Sequence, residues 1–212
     1  KSIINMKFDK AYVIGSKKFS PKRLKRFYKN ITNLNITVEL WPALYGLDVD
    51  INTYKKYLSK NFKLHMAGSL GCLLSHVTLW EYCKKDSNCN IALILEDDVI
   101  LNQDFINKLQ EISIKEIPND WEIIKLSYNQ VIGTEYSKSF IKPELSLEKG
   151  MNAGSWCYLI NTKNIQNVIN ILIPYNNKVS MDVIIRSNID KIKVFFTKYK
   201  LAKHDQVKYS LR

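Results

Sequence analysis

Glu96, Asp97 and Asp98 stand in a row where the apolar run IALIL (residues 91–95) ends. Adjacent carboxylates repel one another and resist desolvation, so the arrangement calls for a cation. In an extended chain alternate residues share a face, which lets Glu96 and Asp98 aim at one site and Asp97 at another. Hard oxygen ligands of this kind suit Mg²⁺ or Mn²⁺ and leave coordination positions open for water and phosphate oxygens. His204, followed by Asp205, offers a neutral imidazole as a further ligand. The competing reading is an acidic loop after a core strand, with His204 a solvated side chain near the terminus.

Other candidates carry similar pairs of readings. Asp182 follows Ser180-Met181 at a helix start, where a carboxylate is either catalytic or a first-turn acid favoured by the helix dipole. His76 is either a satisfied helix residue or, if its helix lies beside strand 91–95, a neighbour of the acidic site. Trp156, in GSWCY, is core by default and otherwise a platform for a sugar face. His65 reads as polar surface.

These groups need elements to hold them. KAYVI (10–14) reads as a strand, Gly15-Ser16 as a turn, and Ser20-Pro21 as a helix start with serine as cap. Over 21–33, Leu24, Phe27, Tyr28 and Ile31 recur at helical spacing, with Lys22, Arg23, Lys25, Arg26 and Lys29 around them. A second strand is expected over 35–40, an irregular stretch from Trp41-Pro42, a short helix over 53–59 and a long amphipathic helix over 68–85. IALIL is uninterrupted, as in a strand buried on both faces. Asp104 is expected to cap a helix reaching about residue 114, with strands over 121–126, 151–161 and 191–196. Helices are expected over 164–173 and 181–188. Residues 131–150 show no period and read as a substrate loop, and about 198–212 as a basic tail. The alternation predicts one three-layer α/β domain over 1–212, with ligands at the C-terminal ends of the strands.

Composition narrows the partners. With 46% hydrophobic and 25% charged residues, the 212-residue chain is an ordinary globular protein, and its net charge of +12 favours an anionic partner. Only Arg23, Arg26, Arg186 and Arg212 are arginines, so the cations are mostly lysines, which lack the planar fork that reads bases. That argues against a specific nucleic-acid partner, and AT-rich coding explains a lysine excess equally well. The apolar runs are far short of the roughly 20 residues that cross a bilayer. Cys72, Cys83, Cys89 and Cys157 form no C-x-x-C pair and read as buried thiols; a Cys83–Cys89 bridge requires an oxidising compartment. The sequence opens at Lys1 without a signal-peptide pattern. A cytoplasmic location is favoured, with the ER lumen the alternative if a targeting segment was removed.

Four segments, in order, resemble glycosyltransferase family 25, which includes lipopolysaccharide galactosyltransferases and procollagen galactosyltransferases. They are Gly68-Ser69-Leu70-Gly71-Cys72-Leu73-Leu74-Ser75-His76, similar to a G-x-x-G-C-x-x-S-H helix; ALILEDDV (92–99); GSWCYLI (154–160); and Ser180-Met181-Asp182. The resemblance implies a GT-A-like, Rossmann-related fold with a central mixed, mostly parallel sheet. It implies a UDP-sugar donor, Mn²⁺ or Mg²⁺, a glycan or collagen-like protein acceptor, and inversion at the anomeric carbon. The acidic run then looks like a D-x-D element with Glu96 in the first position, where aspartate is commoner, and Asp98 in the last. The implied metal ligands are Asp98, Glu96 and His204. The implied donor contacts are Ile14, Gly15, Ser16, Gly46, Asp48, Ser75, His76 and Glu96. Asp182 becomes the candidate base, with Asp97 the alternative. Two other readings stay open: a metal-dependent phosphoesterase or nuclease, and a basic adaptor binding polyanions through 17–29 and 191–212.

Overall fold

A computed structural model describes residues 5–146 and 148–205. Eight strands form the central sheet: β1 (Lys10–Gly15), β2 (Glu39–Pro42), β3 (Ile91–Glu96), β5 (Ile123–Lys125), β6 (Gly133–Glu135), β7 (Phe140–Pro143), β8 (Cys157–Asn161) and β9 (Val194–Thr197). A separate two-stranded ladder pairs β4 (Val99–Leu101) with β10 (Ala202–His204). The helices are α1 (Pro21–Ile31), α2 (Ala67–Lys85), α3 (Phe105–Glu111), α4 (Gln166–Leu172) and α5 (Met181–Ser187).

Side-chain alternation sorts the core into two apolar clusters on opposite faces of the sheet. Ala92 and Ile94 of β3 join Tyr12, Ile14, Tyr158, Ile160 and Phe196 on the face covered by α2, α4 and α5. Leu93 and Leu95 join Ala11, Val13, Leu159 and Phe195 on the other, under α1 and α3. The uninterrupted apolar sequence of β3 is therefore the signature of a strand covered on both faces, and the domain has three layers.

The sheet order is β2-β1-β3-β8-β5-β9-β7-β6. Three neighbouring pairs are parallel (β1/β2, β1/β3, β5/β9) and four antiparallel (β3/β8, β5/β8, β6/β7, β7/β9). The expectation of a mostly parallel sheet is corrected by this count. The cause is β8, which enters from the end of the sheet where β3 and β5 finish and so runs against both.

Local expectations needed other adjustments. The second strand covers Trp41 and Pro42 rather than 35–38, and residues 53–59 supply only a 3₁₀ turn at Lys55–Tyr57. The aperiodic stretch 131–150 contains the β6–β7 hairpin that closes one sheet edge. The strand expected from Met151 begins at Cys157. Most consequentially, the expected basic tail contains β10, which pairs antiparallel with β4 in the register His204↔Val99. The part of that tail beyond Asp205 lies outside the described residues.

Helix α2 is fixed at its N-terminus by Asn177, whose Oδ1 accepts from the backbone N–H groups of His65 (2.8 Å) and Met66 (2.7 Å). Its flank meets the 44–46 loop so closely that a Cβ on Gly71 would lie 2.3 Å from the Leu44 carbonyl oxygen, and one on Gly46 1.8 Å from that of Ala67. Backbone atoms cannot swing aside as a side chain can. Gly71→Ala is therefore expected to lower stability by about 1–3 kcal/mol through overpacking, despite the roughly 1 kcal/mol by which alanine favours a helix. Denaturant unfolding checks this, and an unchanged midpoint would show that the loop yields freely.

Candidate active site

Where β1, β3 and β5 end and β8 begins, the registers Ile14↔Glu96, Leu95↔Cys157 and Lys125↔Tyr158 bring four chain segments to one sheet end. A cavity of about 660 Å³ opens there. Ile14, Gly15, Ser16 and Gly46 line one wall, and Ser75 and His76 of α2 reach it from below. Glu96, Asp97, Asp98, Asp182 and His204 complete the set. Asp48 is not among the lining residues: it makes an exposed ion pair with Lys18 at 3.6 Å.

The acidic run meets a cation, and that cation is a guanidinium. Arg23 of α1 pairs with Asp97 Oδ1 and, at 2.8 Å, with Asp98 Oδ2. Ser20 does not use its hydroxyl to cap α1 but donates it to Asp97 Oδ2. Burial raises the Asp97 carboxyl above the usual range, against the opposing pull of Ser20 and Arg23. For Asp98 burial acts in the same upward direction, but the hydrogen bond from His204 and the Arg23 charge outweigh it and hold this carboxyl low. His204 comes within 3.2 Å of Asp98 Oδ2 because β10 lies along β4. The Asp205 N–H donates to the Asp98 carbonyl (2.7 Å) and the Asp205 carboxylate pairs with Arg26 at 3.0 Å, which ties the ladder's end to the acidic turn. Trp156, buried at the start of β8, packs its ring 4.8 Å from that of His204 and donates Nε1–H to Ser127, whose hydroxyl donates to the Ala202 carbonyl.

Glu96 is held differently. The Trp80 indole N–H donates to Tyr158 Oη at 2.9 Å. The Tyr158 hydroxyl lies 2.6 Å from His76 Nδ1, and His76 Nε2 lies 3.1 Å from Glu96 Oε1. Burial pushes the Tyr158 phenol well up, so it keeps its proton and donates it to Nδ1. That leaves Nε2 carrying the imidazole proton toward the carboxylate, a chain of donors from the core of α2 to the cleft. Ser75 serves the wall: it accepts from the Leu44 N–H (2.8 Å) and donates to the Gly71 carbonyl (2.6 Å).

Asp182 sits in the first turn of α5, and Ser155 donates its hydroxyl to Asp182 Oδ1. Behind Ser155, at the end of β5, Lys125 is buried and donates to the Gly154 carbonyl and, at 3.3 Å, to Ser155 Oγ.

A divalent ion fits part of this arrangement. Asp98 Oδ2 receives both Arg23 and His204, whereas Asp98 Oδ1 is buried without a hydrogen-bond partner among the described residues. A bare buried carboxylate oxygen beside an imidazole is a donor set suited to a cation. Glu96 does not converge with these two. Among the described residues, the group of three ligand atoms within 4.8 Å of one another is Cys72, His76 and Glu96, and there both His76 nitrogens already have partners.

Arg23, Ser20, Ser155, Tyr158 and Lys125 were not singled out from the sequence. Two left a signal: Lys125 is the one cation in the strand sequence EIIKL, and Arg23 is one of only four arginines in the chain.

The cleft lies at the strand ends of an α/β domain, the place where open α/β sheets bind ligands. The chain belongs to glycosyltransferase family 25: the family profile, described as "Glycosyltransferase family 25 (LPS biosynthesis protein)", matches residues 8–185. A Haemophilus influenzae protein named provisionally as a glycosyltransferase is 27% identical over 193 residues, covering 85% of this chain and 63% of that protein. Human procollagen galactosyltransferase 2 is 21% identical over 215 residues, covering 95% of this chain and 32% of that protein. The chain thus spans less than two thirds of the first relative and about a third of the second. Among solved structures, it is similar to a glycosyltransferase involved in glycosylation of the major capsid of PBCV-1 (10% identity, TM-score 0.49, 95% of both chains). It is also similar to a Drosophila β-1,4-galactosyltransferase 7 mutant complexed with manganese, UDP-Gal and xylobiose (8% identity, TM-score 0.45, 94% of this chain and 71% of that one). Family membership displaces the phosphoesterase or nuclease reading. No helix among the described residues is long and apolar enough to cross a membrane.

Proposed function

We propose that this chain moves a hexose, galactose or glucose-like, from a UDP-sugar to a hydroxyl of a glycan or of hydroxylysine in a collagen-like protein. Transfer inverts the anomeric carbon and depends on Mn²⁺ or Mg²⁺. The observation that carries the reading is the division of labour in the cleft: among the described residues, Asp98 keeps a bare buried oxygen beside His204, and Asp182 has one oxygen held by Ser155 and the other without a partner. Family membership and the named activity of the human relative support sugar transfer.

Asp98 and His204 would hold the divalent ion, which when bound supplies electrostatic stabilisation to the departing diphosphate. Lys149 and Arg186 line the same cleft and add positive charge where negative charge grows as the sugar–oxygen bond breaks. The turn Ile14–Gly15–Ser16 and the loop at Gly46 form the wall for the donor nucleoside. Glu96, oriented by His76, takes a ribose hydroxyl or reaches the ion through water. Asp182 receives the acceptor's proton on Oδ2 as the hydroxyl attacks from the face opposite the leaving group. Asp97 is committed to Ser20 and Arg23, which favours Asp182 over it.

Thermal unfolding with a panel of UDP-sugars and Mn²⁺ tests this, because a ligand at 100 times its Kd that binds only the folded state adds about 2.7 kcal/mol of stability. One UDP-hexose is expected to raise the midpoint and to be slowly hydrolysed, with EDTA abolishing both effects. A panel without any metal-dependent shift at millimolar concentrations would sink the reading.

A further inference from the structure

Lys125 is 2% exposed, and the proposed mechanism leaves it unused. An ammonium buried this deeply carries a large desolvation cost unless acceptors and opposite charge surround it. The geometry around it meets that condition. The Gly154 carbonyl can only accept, and Ser155 has committed its one proton to Asp182, so its lone pair faces Lys125 Nζ. The Tyr158 ring centroid lies 5.2 Å from Nζ and presents its electron-rich face. Both neighbouring carboxylates, Asp182 of α5 and Glu96 of β3, act on Lys125 as favourable charges; burial, the larger effect, draws the amine down against them. The remaining ionisable neighbours are Cys72 of α2 and Tyr158 of β8, with Arg186 and Lys149 on the cleft side.

We propose that Lys125 is a positioning residue for the transfer reaction: its ammonium, buried behind Ser155, holds Asp182 through that serine in the orientation that accepts the acceptor's proton. The inference rests on the reading of Asp182 as the base. The link is geometric: Lys125 orients Ser155 by occupying its lone pair, so the serine proton points to Asp182 Oδ1 and fixes the carboxylate plane. Sequence alone marks Lys125 as an oddity in an apolar strand; only the fold brings it behind the base.

Lys125→Met removes the charge while keeping an unbranched side chain of similar length, so folding should survive, as read by near-ultraviolet circular dichroism and thermal midpoint. UDP-sugar affinity is expected to stay within about twofold while kcat falls about 10- to 100-fold, the scale of a misaligned general base. The carboxyl carbon-13 resonance of Asp182, identified by its loss in Asp182→Asn, should change position in the variant at fixed pH, because Ser155 no longer holds the carboxylate in one orientation. A fall in kcat with that resonance unmoved would reduce Lys125 to a packing role and overturn the proposal, as would wild-type values throughout. If Lys125→Met does not fold, Ser155→Ala severs the same link and must lower kcat and move the resonance; no movement overturns the inference. Should no donor be turned over by the wild type, the functional reading has failed, and the carbon-13 resonance still decides whether Lys125 acts on Asp182.

Discussion

Asp182→Asn is expected to leave UDP-sugar affinity within about twofold while slowing transfer about 10²- to 10⁴-fold, the range a positioned general base contributes. The substitution preserves shape and the hydrogen bond from Ser155 to the side-chain oxygen, so the α5 start should stay in place. What disappears is the ability to take a proton. Donor binding should persist because the proposed donor contacts, the cations of the cleft and the β1–α1 turn, do not involve Asp182. Steady-state kinetics with the identified donor, together with calorimetric titration of UDP, separates the two quantities. A turnover number equal to wild type would remove Asp182 as the base and return the role to another carboxylate. A parallel loss of affinity would instead make Asp182 a binding group.

How much of this was legible in the sequence depended on whether the signal was local. Strand β3 was readable because residues 91–95 are apolar without a break, and only a strand covered on both faces buries every one of them. Helix α2 was readable within a residue because its length and apolar spacing are intrinsic to the segment. The direction of β8 was not, since nothing in the alternation of GSWCYLI records which end of the sheet the chain enters from. Strand β10 is three residues long and is paid for by β4, about a hundred positions earlier, so residues 202–204 read as tail. The same non-locality hid Arg23. It reads as one more cation on the polar face of α1, and only the turn after β3 shows that it neutralises Asp97 and Asp98. Three adjacent acids call for a cation, and the Arg23 side chain supplies part of that charge.

That partial neutralisation sharpens the second large expectation. Asp98→Asn should cut metal-dependent UDP affinity by at least about 100-fold, since losing even an outer partner of a metal ligand typically costs 10- to 100-fold. The protein should remain folded, because Arg23 retains Asp97 and the amide can still accept from His204. Replacing the carboxylate also removes the repulsion between Asp97 and Asp98, which offsets the lost Arg23 contact. The companion variant His204→Ala should weaken metal binding about tenfold, and it replaces tail deletion as the test, because truncation before residue 202 would remove β10 and unseat the acidic turn. Calorimetric titration of UDP with and without Mn²⁺ reads both variants against wild type. Equal metal enhancement in Asp98→Asn would mean that the bare Oδ1 atom is not where the ion binds, and the Arg23 pair would then account for the acidic run by itself.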